Sequence, residues 1–285
     1  MPVCAVTGAH GLIGSHCIQA LRARGHVVRE IVHTRRRESD IAVTLGQDVS
    51  PATFAGIDVL VHCAYQFGLD RGELHRINVL GSQQLIETAH AAGVKRIVFM
   101  SSISAYDGCR SDYGAGKFTV ERTTLARGGI VLRPGLVYGE PGKGMFGMLA
   151  RLTRLPILPV FDGGRQPMLL VHVDDLAEIV GDSIAWEPQT AESPVVVAHP
   201  RAVMFRTILE TIAARQGRRI RFLSIPGQAA LTGLTLLERC GMRIGFSSDN
   251  LMRLLYPADV TTRAGPARGR QLKDFLEVDR VTMGV

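Results

Sequence analysis

VCAVTGAHGLIG, residues 3–14, joins a short apolar run to a turn in which Gly8, Gly11 and Gly14 recur every third residue. Val3–Thr7 has the β-rich character of a buried strand. Leu12 to Arg24 carries apolar residues at helical spacing and is closed by Gly25. Each glycine has a job in such a turn. Gly8 permits the tight reversal, Gly11 lets a pyrophosphate approach the backbone, and Gly14 lets the helix pack close to the strand. The amides of Leu12 and Ile13 then face the phosphates at the helix N-terminus. A strand before the glycines and a helix after them is the context in which the triplet signals a dinucleotide site.

Outward from this stretch the same alternation continues. His26–His33, Ile57–His62 and Arg96–Met100 read as strands. Asn78–Ala92 and Asp112–Ala126 read as helices, and Ile130–Leu132 begins a further strand. Strands alternating with helices predict an α/β fold, a Rossmann-type doubly wound parallel sheet. The rhythm changes after Arg133-Pro134. Residues 139–168 hold GEPGKG, LPILP and DGGRQP and read as loops around one short helix. Asp174–Ala185 reads as a helix capped by an aspartate, Val195–Val197 as a late strand, and residues 203–216, 227–240 and 248–255 as helices. The expected organisation is a dinucleotide-binding domain over residues 1–138. A smaller, mostly helical substrate region follows over 139–285, interleaved with the sheet through the strand near 195–198.

Composition narrows the function classes. The 285 residues are 46% hydrophobic, which suffices for a buried core. No uninterrupted apolar stretch reaches the roughly 18 residues of a membrane span, and the N-terminus lacks the pattern of a secretory signal. Five cysteines without CxxC spacing read as reduced thiols, giving a cytoplasmic expectation. The net charge of +7 resides in residues 201–285, where 14 Lys/Arg face 7 Asp/Glu. These basic residues are scattered and not interleaved with aromatics, which disfavours a nucleic-acid surface.

Three further features carry chemistry. First, the end of the second strand is where a carboxylate would hold a ribose 2′-hydroxyl, but the chain reads Val32-His33-Thr34-Arg35-Arg36-Arg37. Guanidinium groups suit a 2′-phosphate in charge and shape, so Arg35 and its neighbours favour NADP over NAD. Second, Tyr113 and Lys117 stand at i and i+4 and share one helix face. A tyrosine with a pKa near ~10 is a poor base at neutral pH, and a nearby cation favours its phenolate. Third, Ser101-Ser102 ends the preceding strand, where a hydroxyl can hydrogen-bond a reacting oxygen.

These motifs, in order, resemble the extended branch of the short-chain dehydrogenase/reductase superfamily, the NAD-dependent epimerase/dehydratase type. The resemblance spans roughly residues 3–180. It rests on TGAHGLIG, Asp48-Val49, HCAY at 62–65, INVLGSQQLIE at 77–87, KRIVFMSSISAYD at 95–107, YGAGK at 113–117, LRPGLVYG at 132–139 and VHVDDLA at 171–177. It implies a catalytic set of Ser102, Tyr113 and Lys117, with Lys117 also holding the nicotinamide ribose. It implies Asp48 and Val49 beside adenine, Ala64 along the cofactor, and Pro134 and Val137 at the nicotinamide end. Asn78 would bend its helix and support a proton relay. A homodimer through a helix bundle is common in the family. Leu136 stands where many sugar-nucleotide members carry an asparagine, which weakens a sugar-nucleotide substrate.

The leading expectation is an NAD(P)-dependent oxidoreductase acting on a carbonyl or secondary alcohol of a small molecule. An epimerase or dehydratase that retains its cofactor is the alternative, and a non-catalytic dinucleotide sensor the third. His10, His16, His33, His62 and His172 lack metal-ligand spacing, and no metal is expected. Met145, Phe146 and Met148 either line a substrate pocket or simply pack.

Overall fold

A computed structural model describes residues 1–187, 194–242, 246–257 and 269–285. Seven strands form one parallel sheet: β1 (Val3–Thr7), β2 (Val27–Val32), β3 (Ile41–Ala42), β4 (Val59–His62), β5 (Arg96–Met100), β6 (Ile130–Pro134) and β11 (Val195–Val197). Their order is β11-β6-β5-β4-β1-β2-β3. The direction of winding reverses between β1 and β4, which opens a crevice at the carboxyl ends of the strands. The remaining strands are β7 (Leu136–Tyr138), β8 (Ile157–Phe161), β9 (Pro167–Met168), β10 (Leu170–His172), β12 (Val203–Met204) and β13 (Arg221–Ile225). They pair two by two: β7 with β10, β8 with β13, and β9 with β12.

Helices cover both faces of the large sheet. On one face, α1 (Leu12–Ala23) packs against α6 (Val173–Ser183). Cys17, Leu21, Leu176 and Val180 meet Cys4, Val6, Val59 and Val98 there. On the other face lie α3 (Gly81–Ala91) and α4 (Asp112–Ala126), with Leu85, Ile86 and Val120 over Leu60, Ile97 and Phe99. A short α2 (Arg71–Leu74) reaches α3 through a wider π-helical turn at His75–Leu80. The helix expected from Asn78 therefore begins inside that turn.

The second core lies beyond β7. It joins Tyr138, Phe146, Leu158, Ile208, Leu254 and Phe275. Their elements are α5 (Gly144–Leu152), α7 (Phe205–Arg215) and α9 (Ser248–Leu255), beside α8 (Gly227–Arg239) and α10 (Arg280–Met283). Two local expectations are corrected. LPILP contains a strand, β8, because Leu158 and Val160 point into this core and β13 lies alongside. Helix α6 is capped by His172, whose Nδ1 accepts the Asp174 amide at 3.2 Å, and not by an aspartate. No helix among the described residues is long and apolar enough to cross a membrane.

Candidate active site

The glycine turn forms a cradle that side chains could not enter. Gly8 has φ +66°, and a Cβ there would press on the Ala64 backbone. A Cβ on Gly14 would collide with the Gly8 carbonyl oxygen, so only glycine lets α1 start this close to β1. Helix α1 begins at Gly11 with no side chain capping its first amides and no acidic residue in its first turn. Open amides at a helix start favour an anion, so these residues fit a dinucleotide pyrophosphate.

A hydrogen-bonded core holds the opposite lip in place. Thr7 Oγ1 accepts the amides of Cys63 and Ala64, each at 3.1 Å. Its proton is then left for His62 Nδ1 at 2.7 Å, and His62 Nε2–H donates to Ser82 Oγ at 2.9 Å. Burial, helped by the Lys117 charge, pushes the His62 pKa down to about 3. His62 is thus a neutral brace under the lip.

The reacting wall is built by β5, the loop after it, and α4. Gly114 has no side chain because the Ser104 carbonyl occupies that space, and this draws α4 against the loop bearing Ser102. Ser111 Oγ caps α4 by accepting the Gly114 amide at 3.0 Å. The Ser102 hydroxyl accepts the Ser104 amide at 3.1 Å and lines the same cavity as the Tyr113 phenol. Ser101 is turned away and donates to Glu121. Glu121 in turn grips Arg133, whose Nε donates to it at 2.8 Å, in a buried pair that ties α4 to β6. Tertiary packing thereby separates the two adjacent serines.

Lys117 is buried, donates to the Met100 carbonyl at 2.7 Å, and lies 4.7 Å from the Phe99 ring centre and 5.0 Å from that of Tyr65. Burial lowers its pKa to about 8. Burial raises that of Tyr113, while the Arg253 guanidinium and the neighbouring Ser102 hydroxyl pull it back down. Arg253 lies 4.5 Å from the Tyr113 ring centre and pairs with Asp249 at 3.4 Å. Asp249 accepts the Asp112 amide at 2.6 Å, so α9 clamps the first turn of the helix that carries Tyr113.

One cavity of about 640 Å³ gathers most of the residues expected from sequence: Gly8, Gly11, Leu12, Ile13, Gly14, Ala64, Ser102, Tyr113, Lys117, Pro134 and Val137 all line it. Four expected residues lie elsewhere. Asn78 is buried and brackets Gln66, accepting its amide and donating to its carbonyl, both at 2.8 Å. It shapes the lip through backbone. Asp48 is exposed and accepts from Gln84 at 2.9 Å, Val49 packs under the sheet, and Arg35 is exposed past β2. Met145 and Met148 line the cavity, whereas Phe146 is core. Sequence reading missed Arg253, Asp249, Met168 and Met252. No motif marks them, and the amphipathic pattern of 248–255 was the one available signal.

A doubly wound sheet with a helix-start anion cradle beside a Ser–Tyr–Lys cluster defines a nicotinamide-dinucleotide-binding protein. The model of the NAD dependent epimerase/dehydratase family matches residues 4–186, more than half of the chain, and the chain belongs to that family. Ceramide reductase of Caulobacter vibrioides is 30% identical over 190 residues, covering 61% of this chain and 58% of that protein. The 4-hydroxy-2-methyl-3-oxo-4-farnesyl-3,4-dihydroquinoline-1-oxide ketoreductase of Stigmatella aurantiaca is 26% identical over 265 residues, covering 82% and 79%. The structure of MoeE5 in complex with UDP-glucose and NAD aligns with a TM-score of 0.66 at 25% identity, covering 78% of this chain and 85% of that one. The crystal structure of gox2253 aligns with a TM-score of 0.72 over 99% of this chain and 97% of that one. At 20% identity it speaks to the fold alone. The chain thus spans little more than half the length of the first of these relatives. The family description names NAD-dependent epimerases and dehydratases, and the proteins that this chain is similar to include a reductase, a ketoreductase and a UDP-glucose 4-epimerase.

Proposed function

We propose that this protein is an oxidoreductase that interconverts a carbonyl and a secondary alcohol on a small molecule. The observation that carries this reading is the convergence of Ser102, Tyr113 and buried Lys117, which donates to the Met100 carbonyl at 2.7 Å, on the same cavity as the glycine cradle. A bound nicotinamide supplies or accepts the hydride. Tyr113 gives its phenolic proton to the carbonyl oxygen in reduction, takes it back from the alcohol in oxidation, and exchanges it with solvent. Ser102 orients that oxygen by hydrogen bonding. Lys117 holds the ribose and keeps a positive charge near the phenol. A phenol whose pKa is raised by burial is a proton donor at neutral pH, which suits the reducing direction. In Tyr113→Phe, turnover falls by roughly a hundredfold to ten-thousandfold with nucleotide affinity unchanged, since general acid–base catalysis contributes that much. Retained turnover sinks the assignment.

The nucleotide in this proposal is NADP(H) in preference to NAD(H). Of the carboxylates near the end of β2, Glu30 pairs with Arg22 at 3.0 Å, Asp40 accepts the amides of Arg36 and Arg37 at 2.9 Å, and Glu38 is exposed beyond the three arginines. Arg35 stands exposed beyond the strand. Arg35→Ser narrows the ratio of NADPH to NADH affinity by about tenfold, the scale of one charge-assisted contact. An unchanged ratio counts against the 2′-phosphate. The cytoplasmic setting, the homodimer and the role of 139–285 as the substrate region belong to the same proposal.

The family description and a UDP-glucose 4-epimerase of Vibrio cholerae, 25% identical over 244 residues, favour a second reading as an epimerase with retained cofactor. Nicotinamide absorbance separates the two. Net reduction consumes it stoichiometrically with product, and epimerisation leaves it constant.

A further inference from the structure

The cavity's far wall says which molecules it takes. Met145 and Met148 on α5, Met168 on β9 and Met252 on α9 are all half-buried and line it, joined by Phe205 and Phe246. Methionine is flexible and polarisable, and a cluster of four makes an adaptable apolar surface. At the mouth, Phe67 is 71% exposed, with its ring stacked 6.3 Å from that of Tyr113. A large apolar ring left open beside the reacting phenol extends the same surface outward.

Several polar groups of the wall are already engaged, and those that are not, such as the Tyr65 and Ser104 hydroxyls, are uncharged. Ser101 is bonded to Glu121, and Tyr106 donates to the Tyr256 carbonyl at 2.9 Å. Asn250 accepts from Arg253. Among the described residues that line the cavity, Lys117 and Arg253 are the charged ones. Lys117 is bonded beside the catalytic pair and Arg253 is paired with Asp249. The open amides of α1 lie at the dinucleotide end. A second diphosphate or a carboxylate would be desolvated here without a free cation among the described residues, and burying an unpaired charge is expensive. Leu136 adds a further apolar group at the nicotinamide end.

We propose that the substrate is an uncharged, lipid-like ketone or secondary alcohol whose oxygen meets Tyr113 and Ser102 and whose hydrocarbon body lies on the methionine wall. This inference rests on the oxidoreductase reading. In reduction the nicotinamide nucleotide delivers hydride to the carbonyl carbon, Tyr113 protonates the oxygen, and solvent restores the phenol. Nucleotide sugars and ionised acids are poor substrates because, among the described residues of this wall, the one cation, Arg253, is already paired with Asp249.

The test uses the purified full chain with NADPH and with NADH and a series of methyl ketones from 2-butanone to 2-dodecanone. The expected result is a rise in kcat/KM of about twofold to fourfold per methylene until the chain fills the cavity, the gain for burying one CH₂. Met148→Gln and Met252→Gln flatten that slope. Should either variant fail to fold, the wild-type slope still decides. Binding is read separately by displacement of N-phenyl-1-naphthylamine, an uncharged apolar dye, with 2-dodecanone or UDP-glucose as competitor. Reduction that does not increase with chain length, or dye displaced by UDP-glucose but not by 2-dodecanone, overturns the proposal and leaves the oxidoreductase reading intact. Displacement by 2-dodecanone with no reduction by either nucleotide overturns the oxidoreductase reading and leaves the apolar site standing.

Discussion

The two sides of the cavity are made of different material. The nucleotide side is backbone: the Gly8–Gly14 turn, the open amides of α1, and the Cys63–Ala64 lip braced by Thr7 and His62. The far side is side chains, chiefly methionine and phenylalanine from α5, β9 and α9. Backbone approach leaves no room for a Cβ, so the first surface admits few sequences. Apolar lining can be repacked at constant volume with little loss, so the second admits many. A surface of the first kind suits a cofactor shared by a whole family, and one of the second kind suits a substrate that differs between members.

The contrast can be broken at either side. The largest effect is expected from Gly14→Val. Its side chain has to displace the Gly8 carbonyl, and overpacking of this kind costs about 1–3 kcal/mol. Nucleotide affinity should fall roughly tenfold to a hundredfold, while Met148→Leu leaves it unchanged. Fluorescence titration of NADPH checks both, and equal losses in the two variants would erase the distinction.

Next comes a pH effect centred on the wall between the two sides. The folded pKa of Lys117 is about 8, so its charge is present below that pH and lost above it. In the reducing direction, kcat/KM should be level through neutrality and fall about tenfold per pH unit above roughly 8. A profile level to pH 10 would place the charge requirement elsewhere.

The smallest effect links the sides. Arg253 reaches from α9 on the far side to the Tyr113 ring and lowers the phenol's pKa. With Arg253→Gln that pKa climbs further, and the alkaline rise in alcohol oxidation moves to higher pH. Oxidation at neutral pH drops about threefold to tenfold, the scale of a partly desolvated cation–π contact. Reduction changes less because it uses the protonated phenol. Arg253→Lys should restore most of the loss. A fall in both directions without a pH shift would mean that Arg253 only supports α9.

The nucleotide side was readable because its constraints are local. A glycine triplet between a strand and a helix, YxxxK at one helical turn, and a serine at a strand end each lie within a few consecutive residues. Periodicity likewise predicted the alternation of strands and helices and the three C-terminal helices. Short elements escaped it. LPILP hides β8 behind prolines, and pairing with distant β13 makes it a strand.

Other features depend on residues far apart in sequence, and only the tertiary structure decided them. Ser101 and Ser102 are adjacent, and only the family resemblance singled out Ser102. Glu121 on α4, held by Arg133 on β6, takes the first and leaves the second for Tyr113. The resemblance gave Asn78 a helix-bending and relay role; the fold places it in the π-helical turn and commits its side chain to the Gln66 backbone. Asp249 and Arg253 carry no motif, and they matter because α9 packs on the start of α4, 137 positions away in the Asp112 contact. Sequence by itself determined the sheet and the glycine cradle and placed Tyr113 and Lys117 on one helix face, since local steric and hydrogen-bonding rules suffice for those. The tertiary structure determined which hydroxyl is free, what tunes the phenol, and how apolar the far wall is, since each of these is a contact between segments that meet only when the chain is folded.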